Sequence, residues 1–284
     1  MFYNISKEFM GGDMNLFPIL RKAFFVLLSA VLFSYPVSLQ AKLNNSTEYT
    51  KLRIEENIKA LFSKINKRLN RHAHLVFEVQ PPMITSGIRG FDNAQAAKNV
   101  IDFVFASIIA KIEFSIASDN REMLITHLQE LSAWLEGSGT HRLTAKTMAV
   151  LNEIKSADKL SKQACLHYNA LKEEITRSTI YLGADELYFN FGLWSQALGL
   201  MVRNFGSDKN YDKELMRDVV NYINTAPETR HFLNAFKADS PAKGITSALM
   251  TIVSAANKGT HSLDDIRTID RELADIQRIF NSIS

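Results

Sequence analysis

The closest approach to a metal-binding pattern in this sequence is the pair His72 and His74, followed by Glu78. In an extended chain, residues two apart project to the same side, so both imidazoles and the carboxylate could face one ion. Three protein ligands with water in the fourth position form the catalytic type of zinc site. The pattern therefore supports the hypothesis of a metal site at His72, His74 and Glu78, although surface histidines beside Arg71 are the more common outcome.

Other catalytic signatures are missing from the sequence. None of the seven histidines belongs to an HExxH motif. There is no Gly-x-Ser-x-Gly elbow, P-loop or GxGxxG motif. Adjacent acids on a helix point about 100 degrees apart, so three acidic pairs indicate solvated faces and not catalytic dyads: Glu55-Glu56, Glu173-Glu174 and Asp264-Asp265. The sequence predicts no catalytic residue and no cofactor, and it favours a non-enzymatic protein.

Cys165 is the single cysteine of the chain, so no intramolecular disulfide can form. It lies beside an apolar helical stripe, which predicts a buried and inert thiol. Trp134 and Trp194 also lie on apolar helical stripes. We expect both tryptophans to belong to the core and not to a binding site.

Residues 21–41 have the layout of a secretory signal peptide. Arg21 and Lys22 precede an apolar run from Ala23 to Phe33, and Pro36 and Ala41 follow it. The run is too short to span a bilayer, which takes about 20 apolar residues. We therefore expect residues 1–41 to be removed as a signal peptide, with an uncleaved signal anchor as the alternative.

Translation is expected to start at Met14 and not at Met1. Glu8 and Asp13 precede the basic region of the signal peptide, where acidic residues are unusual, whereas Met14 stands directly before it. The mature chain then begins near Lys42. It is an exported protein, periplasmic or extracellular.

Composition indicates a bacterial exported protein that does not bind nucleic acid. The formal net charge is +3, and residues 1–41 hold three of the cations and two of the acids, so the mature part is close to neutral. A neutral chain lacks the electrostatic footprint of nucleic-acid binding. The low cysteine content suits a periplasmic or secreted bacterial protein better than a small disulfide-stapled module.

Apolar spacing predicts helices through most of the mature chain. The first runs from Ile54 to about Leu69, with lysines and arginines outside its apolar face. Peripheral contact of this basic face with anionic lipid is one interpretation, and a solvated face is the other. Between residues 72 and 91 the alternation of Leu75, Phe77 and Val79 precedes Pro81-Pro82. This predicts an extended segment near residues 74–80 in a long connection, a kind of loop that is often functional.

Capping signals predict where the later helices begin. They pair a capping residue with a proline, an acid or a glutamine in the first turn: Asp92 with Gln95, Asp119 with Glu122, Thr225 with Pro227, Ser240 with Pro241, and Ser262 with Asp265. Gly137 is a predicted helix stop. From Thr144 to about Arg177 neither proline nor glycine occurs, which predicts one long helix or two helices joined near Ser156.

Two segments are predicted to lie in the helical core. Asp185 to Asn204 is the most apolar stretch, with small residues at Gly192, Ser195 and Gly199 that would let a neighbouring helix approach closely. The last helix, beginning after Ser262, carries apolar residues at alternating spacings of three and four. We expect it to pack within its own domain and not as a dimer seam.

These patterns predict an all-α fold, a bundle of about seven to nine helices after the signal peptide. Residues 42–284 are read as a single helical domain, with a sub-boundary near residues 205–210 as the alternative. The predicted function is binding to a protein partner. A membrane-active helical protein that releases apolar faces in acid is one alternative, and an exported metal-dependent hydrolase that uses residues 72–91 is another. Oligomeric state does not follow from the sequence.

Overall fold

The computed structural model describes residues 54–65, 94–177, 186–207, 210–237, 243–258 and 262–283. All of them belong to one compact unit, Thr50–Ser284. The predicted signal peptide (residues 1–41), the start at Met14 and the extended segment near residues 74–80 lie outside the described residues. So do the capping residues Asp92 and Ser240.

The described residues form ten helices and no strand. Their bounds are 54–65 (α1), Ala94–Ala117 (α2), Arg121–Gly137 (α3), His141–Ser156 (α4), Lys162–Arg177 (α5), Glu186–Phe205 (α6), Lys213–Thr225 (α7), Pro227–Lys237 (α8), Lys243–Ala256 (α9) and Leu263–Ile283 (α10). The all-α prediction is confirmed for this part of the chain.

More helices are present than the sequence patterns predicted. The stretch from Thr144 to Arg177 follows the second predicted alternative, two helices with a break next to Ser156, because the chain leaves helical geometry between Ser156 and Lys162. Helix α7 was not predicted at all, although Leu215, Val219 and Ile223 form a clear apolar face on it. Asp212, a residue type that is common at helix starts, precedes this helix and caps it. Its side chain accepts a hydrogen bond from the Leu215 N–H at 2.9 Å.

Three of the predicted helix starts lie in the described residues; two of them coincide with real starts, and one is displaced by a residue. Pro227 opens α8 as predicted, but Thr225 is the last residue of α7 and its hydroxyl donates to the Asn221 carbonyl instead of capping α8. Ser262 and Asp265 form a reciprocal capping box in front of α10, with side chain to backbone N–H distances of 3.2 Å in both directions. The cap of α3 is Asn120, whose side chain accepts from the Met123 N–H, and not the predicted Asp119. Asp119 has a φ of 49°, a turn conformation between α2 and α3.

Helices α2 and α6 pack against each other at the centre of the fold. Helix α6 is buried on all sides, as predicted for this most apolar stretch. The two backbones approach closely at Gly192, where an added Cβ would lie 2.4 Å from the carbonyl oxygen of Phe103. The Phe103 ring stacks on Phe280 of α10 with centroids 3.7 Å apart. The last helix therefore contributes to the same core, and its apolar seam is covered within the chain.

The remaining helices extend from this centre in two directions. On one side α3 packs on α2, α4 on α3, and α5 on α4, whereas α7, α8, α9 and α10 lie on the other side. Helix α1 contacts both groups. Its Phe62 ring meets Phe114 of α2 edge-on at 5.6 Å, and its Lys64 pairs with Asp218 of α7 at 2.8 Å. One lysine of the predicted basic face is thus engaged within the fold.

No helix among the described residues combines the length and the apolar character that crossing a membrane requires. The apolar α6 is interrupted by buried polar side chains, among them Asn190, Ser195 and Gln196. Ser195 accepts a hydrogen bond from Gln277 of α10 at 3.2 Å. These polar groups face neighbouring helices of the bundle.

Candidate functional site: a buried polar seam and an exposed hairpin

The three predicted metal ligands lie outside the described part of the chain: His72, His74 and Glu78. The hypothesis of a metal site there stays a prediction. Within the described ranges no group of three or more His, Cys, Asp or Glu side chains could hold a metal ion. The polar groups that the structure does bring together lie between α2 and α3.

Five buried polar residues line the contact between α2 and α3, and we call them the polar seam. Helix α2 contributes Ser107, Lys111 and Ser115, and helix α3 contributes His127 and Glu130. A spacing of four places the three α2 side chains on one helical face, and a spacing of three does the same for the two α3 side chains. Both helices direct polar groups into an otherwise apolar interface.

A buried ion pair joins the two helices at the centre of the seam. The Lys111 ammonium lies 2.9 Å and 3.1 Å from the two carboxylate oxygens of Glu130. Lys111 is only 1% exposed. Removing both charges from water is costly, and their attraction offsets that cost only in good geometry. The pair therefore disfavours any register of α2 and α3 that separates these two side chains.

The hydrogen bonds around Ser115 determine the tautomer of His127. The Ser115 hydroxyl donates its proton to the Lys111 carbonyl oxygen at 2.8 Å. Its oxygen lies 2.9 Å from Nδ1 of His127. With the proton of the neutral ring on Nδ1 both contacts are satisfied, because the hydroxyl donates its single proton to Lys111 and its oxygen accepts from Nδ1–H. The Nε2 atom is then an unprotonated acceptor, buried and without a hydrogen-bond partner among the described residues.

A hydrogen bond to the backbone of Lys111 works in the opposite direction but is outweighed: burial and, secondarily, the positive charge of Lys111 lower the pKa of His127 to about 3. Both effects disfavour the imidazolium form. The ring is therefore neutral at physiological pH. A neutral, buried histidine whose one proton is used in a hydrogen bond is not available as a proton donor to an external substrate.

A second ionic group links α1, α2 and α5 near the surface. The Lys172 ammonium lies 2.9 Å from Glu113 and 3.6 Å from Glu55. Burial works against the charged form of Lys172, but the two carboxylates outweigh it and raise the pKa of this lysine. This arrangement fixes α5 against α1 and α2.

Helices α4 and α5 expose apolar side chains on their outer side, and we call this set the hairpin face. It consists of Ala145, Met148, Ala149, Leu166 and Ala170, all of which are exposed. Met148 is 40% and Leu166 is 59% exposed, and Met250 on α9 is the third large exposed hydrophobic among the described residues. The inner sides of both helices are buried.

Ion pairs hold the two helices of this hairpin in an antiparallel register. His167 Nδ1 lies 2.6 Å from a carboxylate oxygen of Glu153 at one end. At the other end Arg142 and Lys146 of α4 both bind Glu174 of α5. Helical spacing places Ala149 and Ala170 in the strip between these two ends, whereas Met148 lies on the opposite side of α4 from Lys146.

Cys165 is partly buried on α5 and not fully buried as predicted. Burial, with the nearby carboxylates of Asp119 and Glu113, raises the pKa of its thiol. The thiol form is the unreactive one, so the expectation of an inert cysteine agrees with its surroundings. Trp134 and Trp194 are buried in the core, as expected.

A shallow surface concavity of about 200 Å³ lies where the end of α6 meets the start of α10. Two arginines line it. Arg203 is 3.5 Å from Asp270, and Arg267 is 3.0 Å from Asp264. Because both guanidinium groups already face carboxylates, this concavity does not present a free positive charge to a ligand.

Sequence reasoning missed the polar seam. The signal was present, since Ser107, Lys111 and Ser115 recur every four residues within an apolar helix. The partner of Lys111 on α3 cannot be identified from the spacing within α2, because it lies nineteen positions away in the chain. No model of a protein family, no curated protein and no solved structure matches this chain.

Proposed function

We propose that this chain is an exported, non-enzymatic helical protein that acts by binding another protein through the hairpin face. The exposure of Met148 and Leu166 beside three exposed alanines on α4 and α5 carries the proposal. Apolar side chains that stay in water on a folded surface are the groups that gain most from being covered. Methionine is also enriched in the centres of protein interfaces, from which most charged residues are depleted.

The hairpin face is suited to binding because its shape is set before a partner arrives. Leu143, Val150 and Leu151 anchor α4 from its inner side, and Tyr168 and Leu171 anchor α5. Binding to a preorganised surface costs less conformational entropy than binding to a surface that must first become ordered. The partner we propose presents an apolar helix or strand to this strip, with polar groups at its two charged ends.

Site-specific photocrosslinking in intact producing cells tests this proposal. A photoreactive residue placed at Ala149 or Ala170 should give a discrete adduct with another protein, and one placed at Met250 should not. Adding Leu166→Glu should remove the adduct, whereas Met250→Glu is the matched control on α9 and should leave it intact. Adducts of equal yield from Met250, or adducts only with a second copy of the chain, would contradict the proposal.

Export is a separate part of the proposal and rests on residues 21–41 alone. Fractionation followed by N-terminal sequencing should find a mature chain that begins near Lys42 outside the cytoplasm. An intact chain that begins at Met1 or Met14 and stays in the cytoplasm would contradict export. It would leave the binding proposal standing.

A further inference from the structure

Neutral His127 can bind a second proton, but no described residue offers a hydrogen-bond acceptor at Nε2 for the new N–H. Because Nδ1–H is bound to Ser115, acid must add the proton at Nε2. That step creates a buried N–H donor without an acceptor and a positive charge close to the Lys111 ammonium. An unsatisfied buried donor and an unpaired buried charge are both costly.

The charged groups around His127 on the elements packed against it are already engaged. On α2, Lys111 is bound to Glu130, and Glu113 is bound to Lys172. On α4, Glu153 is bound to His167, and the buried side of this helix carries only Leu143, Thr147, Val150, Leu151 and Ile154. Both carboxylate oxygens of Glu130 already accept from the Lys111 ammonium.

We propose that the polar seam is an acid-sensitive latch, in which protonation of His127 loosens α3 from α2. Helices α4 and α5 follow α3 in the chain and pack successively outward from it. Opening the latch therefore loosens α3, and the α4 helix that packs on it, from α2, whereas the pair between Lys172 and Glu113 still ties α5 to α2. This inference concerns the chain alone and does not depend on a partner of the hairpin face.

The direction of the pH effect follows from the two protonation equilibria. In the unfolded chain histidine binds a proton near pH 6.5, whereas the pKa of His127 in the folded chain is lowered to about 3. Between these values the unfolded or opened state holds one more proton, so acid favours it. The stabilisation is fully present above pH 6.5, and the folding equilibrium constant falls about tenfold for each pH unit below it.

Urea unfolding of the mature chain at pH 7.5 and pH 5.0 tests the latch. His127→Gln removes the titration and keeps an amide that can donate to Ser115, and His231→Gln is the matched control at an exposed histidine. From pH 7.5 to pH 5.0 the folding equilibrium constants of the wild type and of the control should each fall about 30-fold further than that of His127→Gln. Equal losses in all three proteins overturn the proposal.

Hydrogen exchange locates the opening. At pH 5.0, after correction for intrinsic rates, amides of residues 121–137 should lose more protection than amides of residues 186–205 in the wild type, but not in His127→Gln. Uniform loss along the chain would mean global unfolding and would overturn the latch.

If His127→Gln does not fold at pH 7.5, an NMR titration of the wild-type imidazoles decides. A His127 resonance that stays constant from pH 7.5 to 5.0 in the folded chain supports the proposal. An ordinary titration of His127 in the folded chain overturns it.

Discussion

At the scale of single residues, the most consequential feature is the charge pair buried between Lys111 and Glu130. The Lys111 ammonium lies within 3.1 Å of both Glu130 carboxylate oxygens, so each buried charge is balanced by the other. Such pairs add little net stability but strongly penalise the loss of one partner. Loss of the Lys111 side chain should therefore be costly for folding, although this residue is buried and barely contacts solvent.

We expect Lys111→Met to lower the free energy of unfolding by about 3 to 5 kcal/mol, because it leaves the Glu130 carboxylate buried without the opposite charge of Lys111. The double variant Lys111→Met/Glu130→Leu should recover most of this loss. Urea denaturation at pH 7.5 measures both.

Arg278→Ala serves as the control for this comparison. It breaks the exposed pair with Asp275, whose N–O distance is 2.7 Å, and should change the free energy of unfolding by less than about 1 kcal/mol. A Lys111→Met variant as stable as Arg278→Ala would show that the pair is not buried in solution.

At the scale of helices, the contact between α2 and α6 depends on a missing side chain. Gly192 lets the α6 backbone approach the carbonyl of Phe103, whereas Gly199, two turns later, has only the Leu273 side chain at 3.9 Å from an added Cβ. The two glycines occupy the same helix, but only the first lies where two backbones meet.

Gly192→Ala should lower the free energy of unfolding by about 1 to 3 kcal/mol, because the two helices must separate to admit a methyl group. Gly199→Ala meets only an ordinary contact and should leave stability unchanged or raise it by up to about 1 kcal/mol through helix propensity. Thermal unfolding of the two variants under identical conditions compares their stabilities. Similar effects at both positions would contradict the close approach at Phe103.

The capping box of α10 gives a second helix-scale prediction. Ser262→Ala removes the acceptor for the Asp265 N–H and should cost about 1 kcal/mol of unfolding free energy. The same substitution at Ser254, an exposed position inside α9, should cost nothing, since alanine is the better helix former there. Denaturant midpoints of both variants distinguish a cap effect from a general effect of losing a hydroxyl.

At the scale of the whole molecule, α6 joins the two groups of helices. It packs against α2, which leads to α3–α5, and against α7 and α10 on the other side. We therefore expect the mature chain to unfold in one cooperative step at pH 7.5, although a sub-boundary near residues 205–210 is the alternative from the sequence. Coincident far-ultraviolet and near-ultraviolet circular dichroism curves in urea would support a single step. Two separated transitions would support the sub-boundary.

Local signals were sufficient to predict the helical class and several helix ends. Pro227 and the Ser262–Asp265 box mark real helix starts because a cap is formed by residues a few positions apart. The same locality explains the error at Asp119, since Asp119 and Asn120 are both good caps and only the turn geometry selects Asn120. Helix α7 was predictable from Asp212 and its apolar spacing but was overlooked.

The sequence by itself determined that these residues form amphipathic helices around an apolar core, because helical periodicity and capping act within one or two turns. Only the tertiary structure decided which helices meet, and so which polar groups share the interior. Lys111 and Glu130 are nineteen positions apart, and His127 becomes a buried neutral imidazole only where α3 lies on Ser115 and Lys111. The polar seam depends on the packing of two helices, and packing is set by the free energy of the whole core and not by the spacing within either helix.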